Sequence, residues 1–176
     1  MKHYLLSLIL LAAFGAQAQT SHPRQDSIDA PYLRFPTLPP FDLLQIDSST
    51  HLTRDKVEKK HAVILMFFSP DCPHCQHQTE DLLNGMDTLR DVQIIMATYQ
   101  PFEEMKDFYK RYQLAKYPNI KIGRDGTFFL PPYYRMKSLP YLALYNKKGL
   151  LVTTFEGNQT VATLKKAFDT DKGADN

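Results

Sequence analysis

The chain is 176 residues long, 43% hydrophobic and 12% aromatic, with a formal charge of +2 and two cysteines. That length suits one ordinary domain with its own core, so the cysteines are not needed as scaffolding. The near-balanced charge leaves no electrostatic footprint for nucleic acid or an anionic membrane surface.

In chain order, an export signal comes first. Lys2 supplies a positive charge, Tyr4 to Phe14 form an apolar run, and Ala16-Gln17-Ala18 follows as a small-x-small site. This pattern predicts a signal peptide over residues 1–18, cut after Ala18. The run is short for a membrane span, an uncleaved anchor being the plain alternative. No cysteine follows it, which argues against a lipid anchor. The mature chain is thus expected to be soluble in an oxidising, periplasmic or otherwise extracytoplasmic compartment. Residues 19–38 are rich in Pro and polar side chains and read as a linker leading into a domain over 39–172, with a tail at 173–176.

The folded region alternates strands and helices. Phe41 to Asp47 and Thr50 to Thr53 are expected to pair as an N-terminal hairpin. Val63 to Phe68 is a continuous apolar run, as in a strand buried on both faces of a parallel sheet. Leu82, Leu83, Met86 and Leu89 recur at helical spacing, and Val92 to Ala97 is a second apolar strand. Phe102, Met105, Phe108, Tyr109 and Tyr112 predict an amphipathic helix. Tyr141 to Tyr145 and Leu150 to Phe155 flank a turn at Asn146-Lys147-Lys148-Gly149. Val161, Leu164 and Phe168 mark a closing helix that Asn158 or Thr160 can cap. The sum is an α/β domain with a mixed sheet. The lysine-rich patches read as solvated turns and a helix face.

Both cysteines lie in "SPDCPHCQH", residues 69–77, where the first buried strand runs into a helix. Pro73 suits the first helical position, which puts Cys72 at the N-cap beside the free amides of His74 and Cys75. A thiolate at Cys72 would accept from those amides and face the positive end of the helix dipole. Cys75 lies one turn along on the same face, within reach of a disulfide. The position favours an attacking thiolate near neutral pH. As a staple, the disulfide would close a four-residue ring worth roughly 2 kcal/mol by loop entropy, near the low end for disulfides. A structural metal site needs two further ligands, and there is no second Cys pair. Haem attachment needs His directly after the second cysteine, where Gln76 stands. A redox couple is the reading these comparisons favour.

Four stretches carry a family resemblance: "PPFDLLQID", "VILMFFSPDCPHC", "KSLPYLALYNKKG" and "VTTFEGNQTVATLKKAF". Residues 39–170 resemble a thioredoxin-like domain of the exported redoxin kind that includes the TlpA and ResA proteins. The resemblance implies a mixed sheet flanked by helices. It gives Cys72 the attack on substrate and Cys75 the resolution of the mixed disulfide. It also places the family's cis-proline, which lines the substrate groove, on Pro140, preceded by Leu139. The Pro-His dipeptide between the cysteines is similar to that of the exported Dsb oxidants.

Three departures stand out. Asp71 occupies the place of an aromatic residue before the first cysteine. Met66 occupies the place of a buried acid in the preceding strand. The segment from Tyr99 to Lys137 is an insertion before the cis-proline, and its run Phe128 to Tyr134 either recognises a partner or packs the insertion onto the sheet.

The expectation is a monomeric extracytoplasmic thiol–disulfide oxidoreductase acting on protein thiols or disulfides and served by a membrane or soluble redox partner. No metal or organic cofactor is required, and Asp71, Pro73 and His74 are expected to tune the couple. Two other classes fit less well. A peroxiredoxin-like peroxidase lacks its Thr three residues before the nucleophile, where Ser69 stands. A copper carrier would use both cysteines and a nearby His.

Overall fold

The computed structural model describes residues 30–174, with side chains given as far as residue 171. The expected signal peptide lies outside the described residues, as does the linker up to residue 29. In chain order the elements are α1 (Pro31–Arg34), β1 (Asp42–Gln45), β2 (His51–Thr53), β3 (Ala62–Phe67), α2 (Pro73–Asn84), α3 (Met86–Leu89) and β4 (Val92–Thr98). Then follow α4 (Phe102–Arg111), β5 (Ile120–Arg124), α5 (Leu130–Tyr134), β6 (Tyr141–Tyr145), β7 (Leu151–Glu156) and α6 (Val161–Ala174).

The strands form a seven-stranded mixed sheet in the order β2-β1-β5-β4-β3-β6-β7. β4 runs parallel to both β3 and β5, and the remaining pairs are antiparallel. Every residue of β3 is buried. Ile64, Met66 and the following Phe68 point into one core cluster, while Val63, Leu65 and Phe67 point into the other. That alternation is why the run could be apolar throughout: the pleat sends successive side chains to opposite faces, and both faces are covered. Helices α2, α3, α4 and α6 cover the first face through Leu82, Leu89, Met105, Phe108, Leu164 and Phe168. The second face is covered by α5 and by the chain entering the domain.

Several boundaries differ from the periodicity reading. The helix expected to run on from the cysteines stops at Gly85 and restarts as α3. A Cβ on Gly85 would come within 2.5 Å of Val161 Cγ2, so α6 crosses there only because the side chain is absent. β5 has no counterpart in that reading. Its alternation, Ile-Lys-Ile-Gly-Arg, is short, and its apolar side chains meet β4 while Gly123 lets β1 approach closely. A Cβ on Gly123 would sit 2.7 Å from Leu43 Cβ. The insertion therefore supplies an interior strand rather than a loop. α6 runs through Ala174, two residues into the segment read as a tail.

The end of the expected linker is also part of the packed fold. Ala30 and Leu38 are buried, and Tyr32 lies against Tyr134 with 5.5 Å between ring centroids. Leu38 N donates to Gly149 O at 3.2 Å and Leu151 N to Pro36 O at 2.8 Å, fixing this segment against the β6–β7 hairpin. Proline and polar composition suggested an extended linker, but prolines need no amide partner and dock readily beside a sheet edge.

The β1–β2 hairpin turns on Asp47, whose carboxylate accepts from Ser49 N (3.0 Å), Thr50 N (2.8 Å) and Thr50 Oγ1 (2.7 Å). These donors, the Thr50 hydroxyl first, hold its pKa down at about 2. A depressed carboxyl supports the fold above its unfolded value and loses that support as pH falls through the folded one. NMR titration is therefore expected to give an Asp47 midpoint near 2, and Thr50→Val is expected to move it up toward the ordinary carboxylate range.

Candidate active site

Cys72 is the N-cap of α2, with extended backbone (φ −77°, ψ 116°) and Pro73 at the first helical position. Its Sγ accepts from Cys75 N at 3.4 Å, its own N–H donates to Ser69 O at 3.2 Å, and its carbonyl takes the first helical bond from Gln76 N at 3.0 Å. An N-cap sulfur thus satisfies one of the orphan amides that a helix start leaves over. Both thiols are free, Cys72 half-buried and Cys75 fully buried in the first core cluster. Burial, and then the neighbouring Cys72 side chain, pushes the Cys75 thiol far up. One sulfur faces solvent and the other is held as a protonated thiol beneath it.

That asymmetry has a measurable consequence. A thiol whose folded pKa is raised supports the fold below its unfolded value of about 8.5 and loses that support as pH climbs through the folded value. The reduced protein is expected to lose melting temperature relative to the oxidised protein above about pH 8.5, and reduced Cys75→Ser to lose less. The buried tyrosines are common to all three samples and cancel in the comparison. Parallel melting curves for the two redox forms up to about pH 10 would remove this account of Cys75.

The other expected residues gather around this helix start. His74 and Asp71 are exposed. Asp71 Oδ1 takes a short hydrogen bond from Ser69 Oγ, and Ser69 Oγ in turn accepts from Gln100 Nε2 at 3.1 Å. Ser69 is therefore bound to Asp71 and Gln100, not free to orient a peroxide at Cys72. Met66 is buried in the first cluster and makes apolar contacts there. His77 Nε2 lies 3.5 Å from Asp81 Oδ2. Among the described residues, no group of three or more His, Cys, Asp or Glu side chains could hold a metal ion.

The Leu139–Pro140 peptide is cis. Phe67 pairs with Tyr141, so Pro140 sits beside Phe68 at the same sheet end as the cysteines. The loop after β7 ties the two parts together. Gly157 N donates to Pro140 O at 2.8 Å, Asn158 Nδ2 donates to His74 O at 2.7 Å, and Gln159 is gripped by Gln78. Gln78 is fully buried, its Nε2 donating to Gln159 O (3.0 Å) and its Oε1 accepting from Gln159 N (2.6 Å). Asn158 is thus spent on the cysteine helix, and Thr160 caps α6 by accepting from Thr163 N at 3.2 Å. Nothing in the sequence marked Gln78 beyond a polar residue on the apolar side of a helix.

A mixed sheet with helices on both faces, and a thiol pair where its central strand enters a helix, define the class: an α/β dithiol protein of redoxin architecture. Within that class the chain belongs to the thioredoxin-like domain family, which matches residues 51–171. Over 148 residues it is 24% identical to a protein disulfide-isomerase of Ricinus communis, a stretch that is 82% of this chain and 26% of that longer relative. StoA of Bacillus subtilis is similar in structure, with TM-score 0.57 and 23% identity over 75% of this chain and 98% of that one. A secreted disulfide oxidoreductase of Mycobacterium tuberculosis, homologous to E. coli DsbE, is similar at TM-score 0.58 and 16% identity, covering 76% and 96%. At such identities the likeness carries the fold.

Proposed function

We propose that this chain is an extracytoplasmic thiol–disulfide oxidoreductase for protein clients. The observation that carries the reading is the asymmetry of the two sulfurs, an accessible N-cap thiol above a buried, proton-holding one. In the reductive direction the Cys72 thiolate attacks a client disulfide, one client sulfur leaves as a thiolate, and a mixed disulfide forms. Cys75 then gives up its proton and attacks Cys72 Sγ, closing the Cys72–Cys75 disulfide and releasing the second client thiol. The reverse sequence oxidises a client dithiol. Electrons balance as one two-electron exchange per cycle, completed by a membrane or soluble redox partner. Leu139 and Pro140, at the same sheet end as the cysteines, are assigned to the client backbone. Export rests on the Lys2 to Ala18 pattern. Among the described residues no helix is long and apolar enough to cross a membrane.

The test is reduction of an insulin disulfide by the dithiothreitol-charged protein. Turnover above the dithiothreitol background is expected, and peroxide consumption without insulin reduction would overturn the reading.

Redox poise follows from charge. In the oxidised form neither sulfur is charged, so whatever stabilises a thiolate stabilises the reduced state and makes the couple more oxidising. The Cys75 amide does this directly. His74, adjoining the pair, adds a donor and, when protonated, a positive charge. Asp71 opposes it, but is exposed and spends one oxygen on Ser69. The potential is expected between roughly −120 and −270 mV. Glutathione equilibration should give a more negative value for His74→Ala and a less negative one for Asp71→Asn. No shift in either variant would show that these side chains do not set the poise.

A further inference from the structure

The aromatic stretch of the insertion divides in the structure. Leu130, Tyr133 and Tyr134 are buried in the second core cluster and Phe129 packs against it, so most of the stretch anchors the insertion. Phe128 does not join them: it is 50% exposed, and its ring meets Tyr99, itself 40% exposed, edge-on at 5.0 Å between centroids. Tyr99 stacks in turn on Phe67, the last residue of β3, at 6.1 Å.

Considerable local structure holds Phe128 outward. Its φ is +54°, in the left-handed region that a bulky side chain rarely enters. Asp125, only 2% exposed, fixes the turn: its carboxylate accepts from Phe129 N (3.0 Å), Leu130 N (2.8 Å) and Thr127 Oγ1 (3.2 Å). Phe128 N donates to Asp125 O at 3.3 Å. A buried carboxylate and a strained residue are thus used to keep an aromatic ring in water, and strain of this kind collects at ligand-contacting sites.

The pair also adjoins the dithiol. Gln100, next to Tyr99, bonds to Ser69, and Ser69 bonds to Asp71 beside Cys72. Phe67, under Tyr99, pairs with Tyr141, the residue after Pro140. A short chain of contacts through Gln100, Ser69 and Asp71 therefore links the two rings to the place where a client cysteine must sit. We infer that Tyr99 and Phe128 form a docking platform for a large apolar or aromatic side chain that the client polypeptide carries near its reacting cysteine. The polypeptide nature of the occupant rests on the oxidoreductase reading; its apolar chemistry rests on the two rings.

Two extended peptides test this, each with Ser in place of cysteine, one carrying Phe and the other Ser two residues away. NMR titration of the wild type is expected to show the Phe peptide binding about tenfold more tightly, the scale of one well-placed aromatic contact with its burial. Phe128→Asn and Tyr99→Ser should bring the ratio to about one. Asn accepts a left-handed φ, so Phe128→Asn should melt no lower than the wild type, which separates lost docking from lost fold. With cysteine restored as a mixed disulfide, the variants should raise KM for the Phe peptide, leave kcat unchanged and leave reduction of glutathione disulfide as in the wild type. Equal binding of the two peptides by the wild type, or variants that keep the preference, would overturn the platform. So would a concentration-dependent dimer abolished by Phe128→Asn, which would assign the pair to self-association. A wild type that prefers the Phe peptide but turns over neither cysteine peptide would leave the platform standing and remove the oxidoreductase reading instead.

Discussion

Cys72→Ser is expected to abolish client turnover and mixed-disulfide formation, whereas Cys75→Ser is expected to accumulate the mixed disulfide as a stable species on a non-reducing gel. The two sulfurs are not interchangeable. Cys72 caps α2 with solvent on one side and the Cys75 amide on the other, so a client disulfide can reach it. Cys75 has no exposed surface, and its ionised form is suppressed first by burial and then by Cys72. In the proposed cycle it acts only on a sulfur already brought to it, which Cys72 does by forming the mixed disulfide. Alkylation of the reduced protein reads the same asymmetry. Burial both raises the Cys75 thiol and shields it from reagent, so iodoacetamide at neutral pH should modify Cys72 much faster than Cys75. Mass spectrometry after partial alkylation would count the labels, and faster labelling of Cys75 would overturn the roles assigned to the two residues.

The second large effect is expected at Gln78, about one helical turn along α2 from Cys75. Its side-chain amide is enclosed, donating one bond to and accepting one from the backbone of Gln159. Gln78→Ala leaves the partly buried N–H and C=O of Gln159 without these partners and opens a small cavity, at about 2–4 kcal/mol. Chemical denaturation of the oxidised protein measures it. Asn158→Ala, which removes one exposed bond to His74 O, should cost below about 1 kcal/mol. Gln159 lies in the loop that holds the cysteine helix through Asn158 and Pro140 through Gly157. Gln78→Ala should therefore also speed amide exchange at Gly157 and reduce protein-disulfide turnover while sparing small disulfides, since only a protein client spans both parts. A variant as stable as the wild type would show that water replaces the amide and that the loop holds itself.

Residues 63–68 and 141–145 were legible as strands because both belong to interior strands covered on both faces, where continuous apolar sequence has one simple outcome. The N-terminal hairpin was legible from its turn, and the cysteine site from an apolar strand followed by Pro73 at a helix start and a helix-period stripe. Those signals are local: propensity and capping are carried by a few adjacent residues, whereas the cis-proline at Pro140 was an expectation of the family resemblance. β5 was not legible because its five residues are held by two neighbours far away in sequence, and its Gly123 is explained only by Leu43 across the gap.

The sequence by itself determined that this chain places two thiols at the start of a helix, the first capping it and the second one turn along, because the Cys72-Pro73 step sets the helix boundary. Only the tertiary structure decided the rest. It buried Cys75 and left Cys72 half in solvent, because β3 is central and α2 lies flat on its first face. It turned residues 30–38 from linker into packing and sorted the aromatic run into buried anchors and one exposed ring. It also made Gln78 a clamp, by bringing together residues 81 positions apart. Burial and long-range hydrogen bonds depend on which surfaces meet, and no window of local sequence records that.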